Sequence, residues 1–206
     1  RNVSTPSRGN FFARQGPREM RTASHLALVM LSCSVVFHLL TRSGLLYQML
    51  PGSLWGLFPV IRTGSDAAAL FGALIGGLCL SRSRARSLSL AYWSLLLAIF
   101  FLSIADVLLS AATGLVLATA VGQALGRARF PWVFLILSFS LLGFLNQGKF
   151  VVRDKYWDAE SHTTKLALRQ LPSFYAAWVD ASSDALFHSN DDPGEALRRA
   201  ARNKEE

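Results

Sequence analysis

The chain has 206 residues, of which 51% are apolar and 17% are charged, and its formal net charge is +8. Soluble domains carry roughly 25% charged residues, and here the apolar residues lie in blocks between residues 24 and 147. This layout indicates a membrane protein and excludes collagen-like, disulfide-scaffold and wholly disordered chains. The basic residues flank apolar blocks, which is typical of topology signals, so we expect the lipid bilayer as a partner and no nucleic acid.

Residues 1–23 form a basic segment that lacks the pattern of a signal peptide. Because the sequence begins with Arg1, we expect a piece of a longer protein. A spanning helix needs about 20 mostly apolar residues, and residues 24–40 form the first such run. His38 lies near its end, where we favour an interfacial position over a proton relay. We interpret Cys33 and Cys79 as small apolar residues, with no disulfide and no metal site.

Residues 44–61 are apolar but carry Pro51, Gly52, Gly56 and Pro59. Tyr47 and Trp55 are aromatic residues of the interfacial type. Such a density of helix-breaking residues predicts a re-entrant or interfacial segment instead of a full span. The second span is predicted at 65–80, where Gly72 and Gly76 have GxxxG spacing. Small residues allow close approach of helices, and we favour packing within the chain over a dimer interface.

The run from 88 to 126 is 39 residues long, which is too long for one span and suits a hairpin of two. We predict spans at 88–106 and 108–126. Asp106 is the only acid in this run, and a carboxylate at mid-depth in a bilayer costs at least ~2.5 kcal/mol. One interpretation of Asp106 is therefore a functional acid within the membrane. The interpretation that we favour is an acid at the aqueous end of the hairpin.

The last span is predicted at 130–146, so the fold class is an all-α, polytopic transmembrane bundle of about five spans with a short amphipathic helical tail. Five spans would gather ten arginines at one side of the membrane and two at the other. Because positive charge favours the cytoplasm, we expect a membrane protein with a cytoplasmic N-terminus. The extramembrane tail, residues 148–206, would then lie outside the cytoplasm. The ten arginines are Arg1, Arg8, Arg14, Arg18, Arg21, Arg82, Arg84, Arg86, Arg127 and Arg129, and the two are Arg42 and Arg62.

After the last span, basic and aromatic residues alternate in the stretch QGKFVVRDKYW at 147–157. One interpretation is an anchor at the level of the lipid headgroups, which we favour on residue types alone. The other is a cationic shelf that binds an anion, such as the pyrophosphate of a lipid-linked oligosaccharide. The residues of this cationic shelf are Lys149, Arg153, Lys155, Tyr156 and Trp157.

Farther along the tail, an amphipathic helix is predicted at about 172–187. Its apolar residues have helical spacing, and the aromatic face offers a surface for a protein partner. The members of this face are Phe174, Tyr175 and Trp178.

Two features of the tail resemble a known group of proteins. The first is the stretch GKFVVRDKYW directly after an apolar span, and the second is the pattern P-x-x-Y-x-x-W at Pro172, Tyr175 and Trp178. They resemble uncharacterised bacterial multi-spanning membrane proteins associated with exopolysaccharide or O-antigen repeat-unit polymerisation. The resemblance covers mainly residues 145–180, and Val152 stands where a methionine is frequent. It implies a part in cell-surface polysaccharide assembly, polymerase-like, acting on lipid-linked sugars.

Glycosyl transfer from a lipid pyrophosphate needs a base for the acceptor hydroxyl and cations for the leaving group. On spacing and the resemblance together, His162 or Asp154 is the candidate base, and Arg153 with Lys149 are the candidate cations.

No metalloprotease, nucleotide-binding, serine-hydrolase or CxxC motif occurs in the sequence, and we expect no cofactor. The alternative function is therefore a non-enzymatic membrane scaffold or accessory subunit whose tail binds a partner. A small transporter or channel ranks last, because the polar residues within the spans are too few to outline a permeation path.

Overall fold

The computed structural model describes residues 17–49, 51, 56–80, 86–107, 109–127, 130–158, 163–164 and 166–187. These residues form a helical bundle, which confirms the predicted fold class. The one sheet in the described part is a two-residue antiparallel pair, β1 (Trp157–Asp158) and β2 (Thr163–Thr164). The helices are α1 (Pro17–Arg42), α2 (Leu45–Met49), α3 (Phe58–Leu80), α4 (Arg86–Ile104), α5 (Leu109–Arg127), α6 (Trp132–Tyr156) and α7 (Leu171–Phe187).

Five of these helices, α1, α3, α4, α5 and α6, are long and apolar enough to cross a membrane. The predicted number of spans is therefore confirmed, and the protein is a multi-pass membrane protein by the length and composition of its helices. The five helices alternate in direction. We call the end at which α1, α4 and α6 begin the first end of the bundle, and the end at which they finish the second end.

Helix α3 begins earlier than the sequence pattern suggests. Residues 58–61, which the pattern places in the re-entrant or interfacial segment, form its first turn. Pro59 is tolerated there because the first N–H groups of a helix have no partner within it. Residues 45–49 form the short helix α2, and residues 50 and 52–55 lie outside the described part of the chain. A re-entrant or interfacial position of the segment stays a prediction.

Small residues let the spanning helices approach closely. Gly72 packs against Ala27 and Leu31 of α1, whereas Gly76 faces the ring of Tyr92 in α4. The Tyr92 hydroxyl in turn donates a hydrogen bond of 2.9 Å to the carbonyl oxygen of Ala73. Packing within the chain, which we favoured for the GxxxG pair, is thus confirmed.

The tail returns to the bundle. Helix α6 continues to Tyr156, ten residues past the predicted end of the span, and α7 packs against it. Gly148 of α6 allows this contact, since a Cβ there would lie 2.6 Å from the Ser182 hydroxyl. The Trp178 indole donates a hydrogen bond of 2.7 Å to the carbonyl oxygen of Leu145. The predicted amphipathic tail helix is confirmed.

Candidate functional site

Asp106 lies in the tight turn that joins α4 to α5 at the second end of the bundle. The next residue, Val107, is buried and has φ 58°, a backbone conformation that β-branched residues rarely adopt. Such strain persists only where the surrounding structure holds it, and it concentrates at functional sites. The strained backbone next to Asp106 makes its carboxylate a candidate functional group.

Two arginines converge on this carboxylate. An Nη of Arg42, at the end of α1, lies 2.6 Å from Asp106 Oδ1 and also donates to the carbonyl oxygen of Leu102 at 3.1 Å. An Nη of Arg62, in the second turn of α3, lies 3.7 Å from Asp106 Oδ2. We call these three residues the Arg–Asp cluster. Two guanidinium groups and one carboxylate leave a net positive charge at this end of the bundle.

The antiparallel packing of α1 and α3 creates the cluster. The last turn of α1 meets the first turns of α3, which brings Arg42 and Arg62 to one level of the bundle. The Arg42 side chain is only 6% exposed, whereas that of Arg62 is 30% exposed. A cation at a helix C-terminus is also favoured by the helix dipole. The cluster is therefore shielded from its surroundings at Arg42 on α1 and accessible from outside at Arg62 on α3.

A polar seam extends from the cluster into the α1–α3 interface. It consists of His38 and Arg42 on α1, four residues apart, and Ser65 and Asp66 on α3. His38 is 7% exposed, and its Nε2 lies 3.4 Å from Asp66 Oδ1. The imidazole is therefore buried in the α1–α3 interface beside the half-exposed Asp66 carboxylate, and its position at the membrane interface stays a prediction.

Three buried polar atoms of this polar seam have no hydrogen-bond partner among the described residues. They are His38 Nε2, Arg42 Nε and Ser65 Oγ. Buried polar groups in native proteins are paired in the great majority, with protein, water or ligand. The polar seam therefore holds hydrogen-bonding groups that no described residue uses.

Tyr175 connects the tail helix to the cluster. Its hydroxyl donates a hydrogen bond to the carbonyl oxygen of Phe101 in α4, and the two rings are 5.6 Å apart at their centroids. Burial raises the pKa of Tyr175 to about 12; the charge of Arg42 lowers it and that of Asp106 raises it. The phenol is therefore neutral at physiological pH and keeps the proton that it donates to Phe101.

We predict that Tyr175 keeps its proton to a higher pH in the folded protein than in the unfolded chain. A folded-state pKa above the ordinary value of about 10 means that the native state holds this proton more tightly than the unfolded state. The stability that Tyr175 contributes is complete below pH 10 and is lost as the pH rises towards 12. The check is a tyrosinate absorbance titration of the folded protein and of Tyr175→Phe. The variant should lose the absorbance change near pH 12, and an unchanged titration would contradict the burial of this hydroxyl.

The cationic shelf lies on the last turns of α6. Lys149 is half-buried, whereas Arg153 and Lys155 are exposed, and Lys155 Nζ lies 5.5 Å from the centroid of the Tyr156 ring. This ring packs against Phe174 at 5.2 Å, and Phe174 adjoins Tyr175. The cationic shelf and the Arg–Asp cluster thus lie at the same end and are linked through aromatic side chains of α7.

Of the two candidate bases, Asp154 and His162, the structure describes only Asp154. Asp154 is exposed on the surface of α6, within the cationic shelf. His162 lies outside the described residues, as does the side chain of Trp157. The roles predicted for His162 and Asp154 stay predictions.

The aromatic face of the tail helix is already occupied within the chain. Phe174 and Trp178 are fully buried against α6, and Tyr175 reaches α4. The structure therefore corrects the idea that this face is free to bind a protein partner, because the bundle itself covers it.

Sequence reasoning missed Arg42 and Arg62 as site residues, since both were counted only as topology charges. A signal was present in their spacing. Arg42 follows His38 by four residues and Arg62 precedes Asp66 by four, so each pair shares a helical face. Recognition of the site also required knowing that α1 and α3 are neighbours, which spacing alone does not reveal.

Within the described ranges, no group of three or more His, Cys, Asp and Glu side chains is arranged to hold a metal ion. Comparisons with protein-family models, curated proteins and solved structures find no match for this chain. The described residues form a multi-pass helical membrane protein with five helices of spanning length and an arginine–aspartate cluster at one end of the bundle.

Proposed function

We propose that the protein binds the phosphate or pyrophosphate group of a lipid-linked sugar at the second end of its bundle, as a polymerase-like participant in bacterial cell-surface polysaccharide assembly. The observation that carries the proposal is the convergence of Arg42 and Arg62 on the single carboxylate of Asp106. The excess positive charge and the unpartnered Nε of Arg42 are suited to an anion.

The chemistry of the residues supports a phosphate group over other anions. Guanidinium groups present several N–H donors in a planar fork that matches phosphate oxygens. Arg62 is exposed enough to meet a headgroup, while Arg42 is fixed by Asp106 and by the carbonyl oxygen of Leu102. Lys149 and Arg153 of the cationic shelf add positive charge at the same end. Partial exclusion of water strengthens all these interactions.

The sugar part of the proposal is supported by the resemblance of residues 145–180 to proteins associated with repeat-unit polymerisation. In this proposal Arg153 and Lys149 stabilise the pyrophosphate leaving group, and Asp154 or His162 accepts the proton of the acceptor hydroxyl.

We predict that Arg62→Gln weakens binding of a long-chain alkyl pyrophosphate about tenfold. One charge-assisted hydrogen bond contributes roughly 1.5–3 kcal/mol, and 1.4 kcal/mol corresponds to a factor of ten. The measurement is binding to the full chain in lipid nanodiscs by titration calorimetry. The matched control is Arg86→Gln, an exposed arginine at the first end of the bundle, for which we expect unchanged affinity. Equal affinities of both variants and the parent would contradict the proposed phosphate site.

A test in cells addresses the polysaccharide. In the full-length protein, Arg153→Ala is expected to shorten the polymer or reduce its yield while the protein stays in the membrane. Unchanged chain length and yield would remove Arg153 from the reaction. If the variant instead lost an associated protein while the polymer stayed normal, the scaffold function would replace this proposal.

The proposed location is the bacterial inner membrane, with the N-terminus in the cytoplasm and the second end of the bundle outside it. This orientation rests on the sequence alone, in which ten arginines flank the predicted spans on one side and two on the other. We predict that single cysteines at Ser161 and Ser189 react with an impermeant thiol reagent added to intact cells, whereas a cysteine at Ser83 does not. Cys33 and Cys79 are replaced beforehand. The reverse labelling pattern would place the cluster in the cytoplasm and contradict the proposed site of polymerisation.

A further inference from the structure

A cavity of about 350 Å³ lies between α4, α5 and α6. Its floor is formed by the buried side chains of Leu96, Leu115 and Val116. Its rim is formed by Leu97 and Leu137, which are 56% and 67% exposed. The rim residues belong to neighbouring spanning helices and face outwards. The cavity therefore opens sideways, towards the hydrocarbon interior of the bilayer.

The tail helix explains why the cavity exists. Helix α6 packs more extensively against α7 than against any other helix, and α7 fills the gap between α4 and α6 near the second end through Tyr175 and Trp178. Towards the first end, the rings of Trp93 and Phe134 are in contact, with centroids 5.8 Å apart. Between these two contacts the helices stay separated.

The lining suits a hydrocarbon chain and does not suit water. Only three lining residues carry a polar side-chain atom, Trp93, Thr119 and Ser138. The Thr119 hydroxyl already donates to the carbonyl oxygen of Leu115 at 2.8 Å. A buried water requires two to four polar partners. The volume is more than twice the ~150 Å³ of an apolar cavity that binds benzene. If a methylene group takes the ~30 Å³ of a water molecule, the cavity holds roughly a dozen carbons. This is the length of one hydrocarbon chain.

Three consecutive residues of α4 connect the cavity to the Arg–Asp cluster. Phe100 lines the cavity, the carbonyl oxygen of Phe101 accepts the Tyr175 hydroxyl, and that of Leu102 accepts an Nη of Arg42. An apolar space and a positively charged site are therefore neighbours along one helix. A molecule complementary to both has a hydrocarbon chain joined to an anionic group.

We propose that the cavity is the binding site for the hydrocarbon chain of a single-chain lipid phosphate, which enters from the bilayer between Leu97 and Leu137. The inference rests on the proposed function for the identity of the charged group and adds the class of lipid. The chain lies in the cavity at mid-depth in the membrane, and the phosphate group extends towards the Arg–Asp cluster.

The test uses hexadecyl phosphate that carries a diazirine at mid-chain and the matching alcohol without the phosphate. Each is photolysed with the full chain in nanodiscs, and the labelled residues are mapped by peptide mass spectrometry. We expect the phosphate probe to label the rim and floor residues Leu97, Leu137 and Val116. Ser138→Phe, which fills the cavity, should reduce this labelling at least fivefold. Leu97→Trp is the second variant, because it blocks the exposed rim and leaves the floor unchanged.

Ser140→Phe is the matched control, since Ser140 is exposed on the same helix and does not line the cavity. Unchanged labelling in this control is expected. Labelling spread over the exposed residues Val133 and Ile136 of α6 would overturn the cavity site, as would equal labelling in all variants. Arg62→Gln separates the two proposals. If it leaves the affinity for the phosphate probe equal to that for the alcohol probe, while labelling stays in the cavity, the phosphate site fails and the chain site stands.

Discussion

Replacing Arg42 with methionine is expected to destabilise the protein by roughly 3–5 kcal/mol, the usual cost of removing one partner of a buried ion pair. The Arg42 side chain is 6% exposed and holds Asp106 at 2.6 Å. Without it, Asp106 keeps only the longer contact with Arg62 at 3.7 Å, and the carbonyl oxygen of Leu102 loses its hydrogen bond from Arg42. The measurement is the free energy of unfolding in mixed detergent micelles, titrated with denaturing detergent.

Arg86→Met is the control for this prediction, because Arg86 is an exposed arginine at the first end of the bundle and a change there removes no buried pair. We expect it to cost less than about 0.5 kcal/mol. The double variant Arg42→Met with Asp106→Leu should recover part of the lost stability, since no partly buried carboxylate is then left with a weakened partner. Equal losses for Arg42→Met and Arg86→Met would show that the cluster contributes little to folding.

The number and type of the spanning helices could be predicted because their cause is local. A helix in a bilayer satisfies its own backbone hydrogen bonds, so the length and hydropathy of a segment are enough to identify it. The hairpin at 88–126 shows this well, since its turn falls at Asp106, as expected for an acid at the aqueous end. Helix α3 was less predictable, because Pro59 breaks a helix in most positions but is harmless in a first turn.

The candidate site could be predicted only in part, because its geometry depends on which helices are neighbours. Lys149, Arg153 and Lys155 were visible as a run of cations in one segment. The Arg–Asp cluster instead joins the end of α1, the start of α3 and the turn after α4. Periodicity gives the face on which a residue lies but not the helix that the face meets. The same limit applies to α7, whose aromatic face is covered by α6 and α4.

The second large effect is expected at Gly122, where α5 crosses α3. A Cβ at this position would overlap with the backbone carbonyl of Leu74, and it would also lie 3.0 Å from the backbone nitrogen of Leu78. Backbone atoms cannot rotate away as a flexible side chain can, so Gly122→Ala should force the two helices apart. Overpacking of this kind costs about 1–3 kcal/mol, despite the gain of ~1 kcal/mol that alanine brings to a helix.

Gly114→Ala is the matched control for Gly122→Ala, since both glycines lie in α5 and the nearest atom to a Cβ at Gly114 is the Leu70 Cδ2 at 3.4 Å. This is an ordinary contact, so we expect Gly114→Ala to leave the free energy of unfolding unchanged or to increase it slightly. If both variants were equally stable, close approach of α3 and α5 would not be what holds the bundle together. A loss confined to Gly122→Ala would instead show that small residues set the spacing of the helices. That spacing holds α3 and α5, and with them Arg62 and Asp106, in register at the second end.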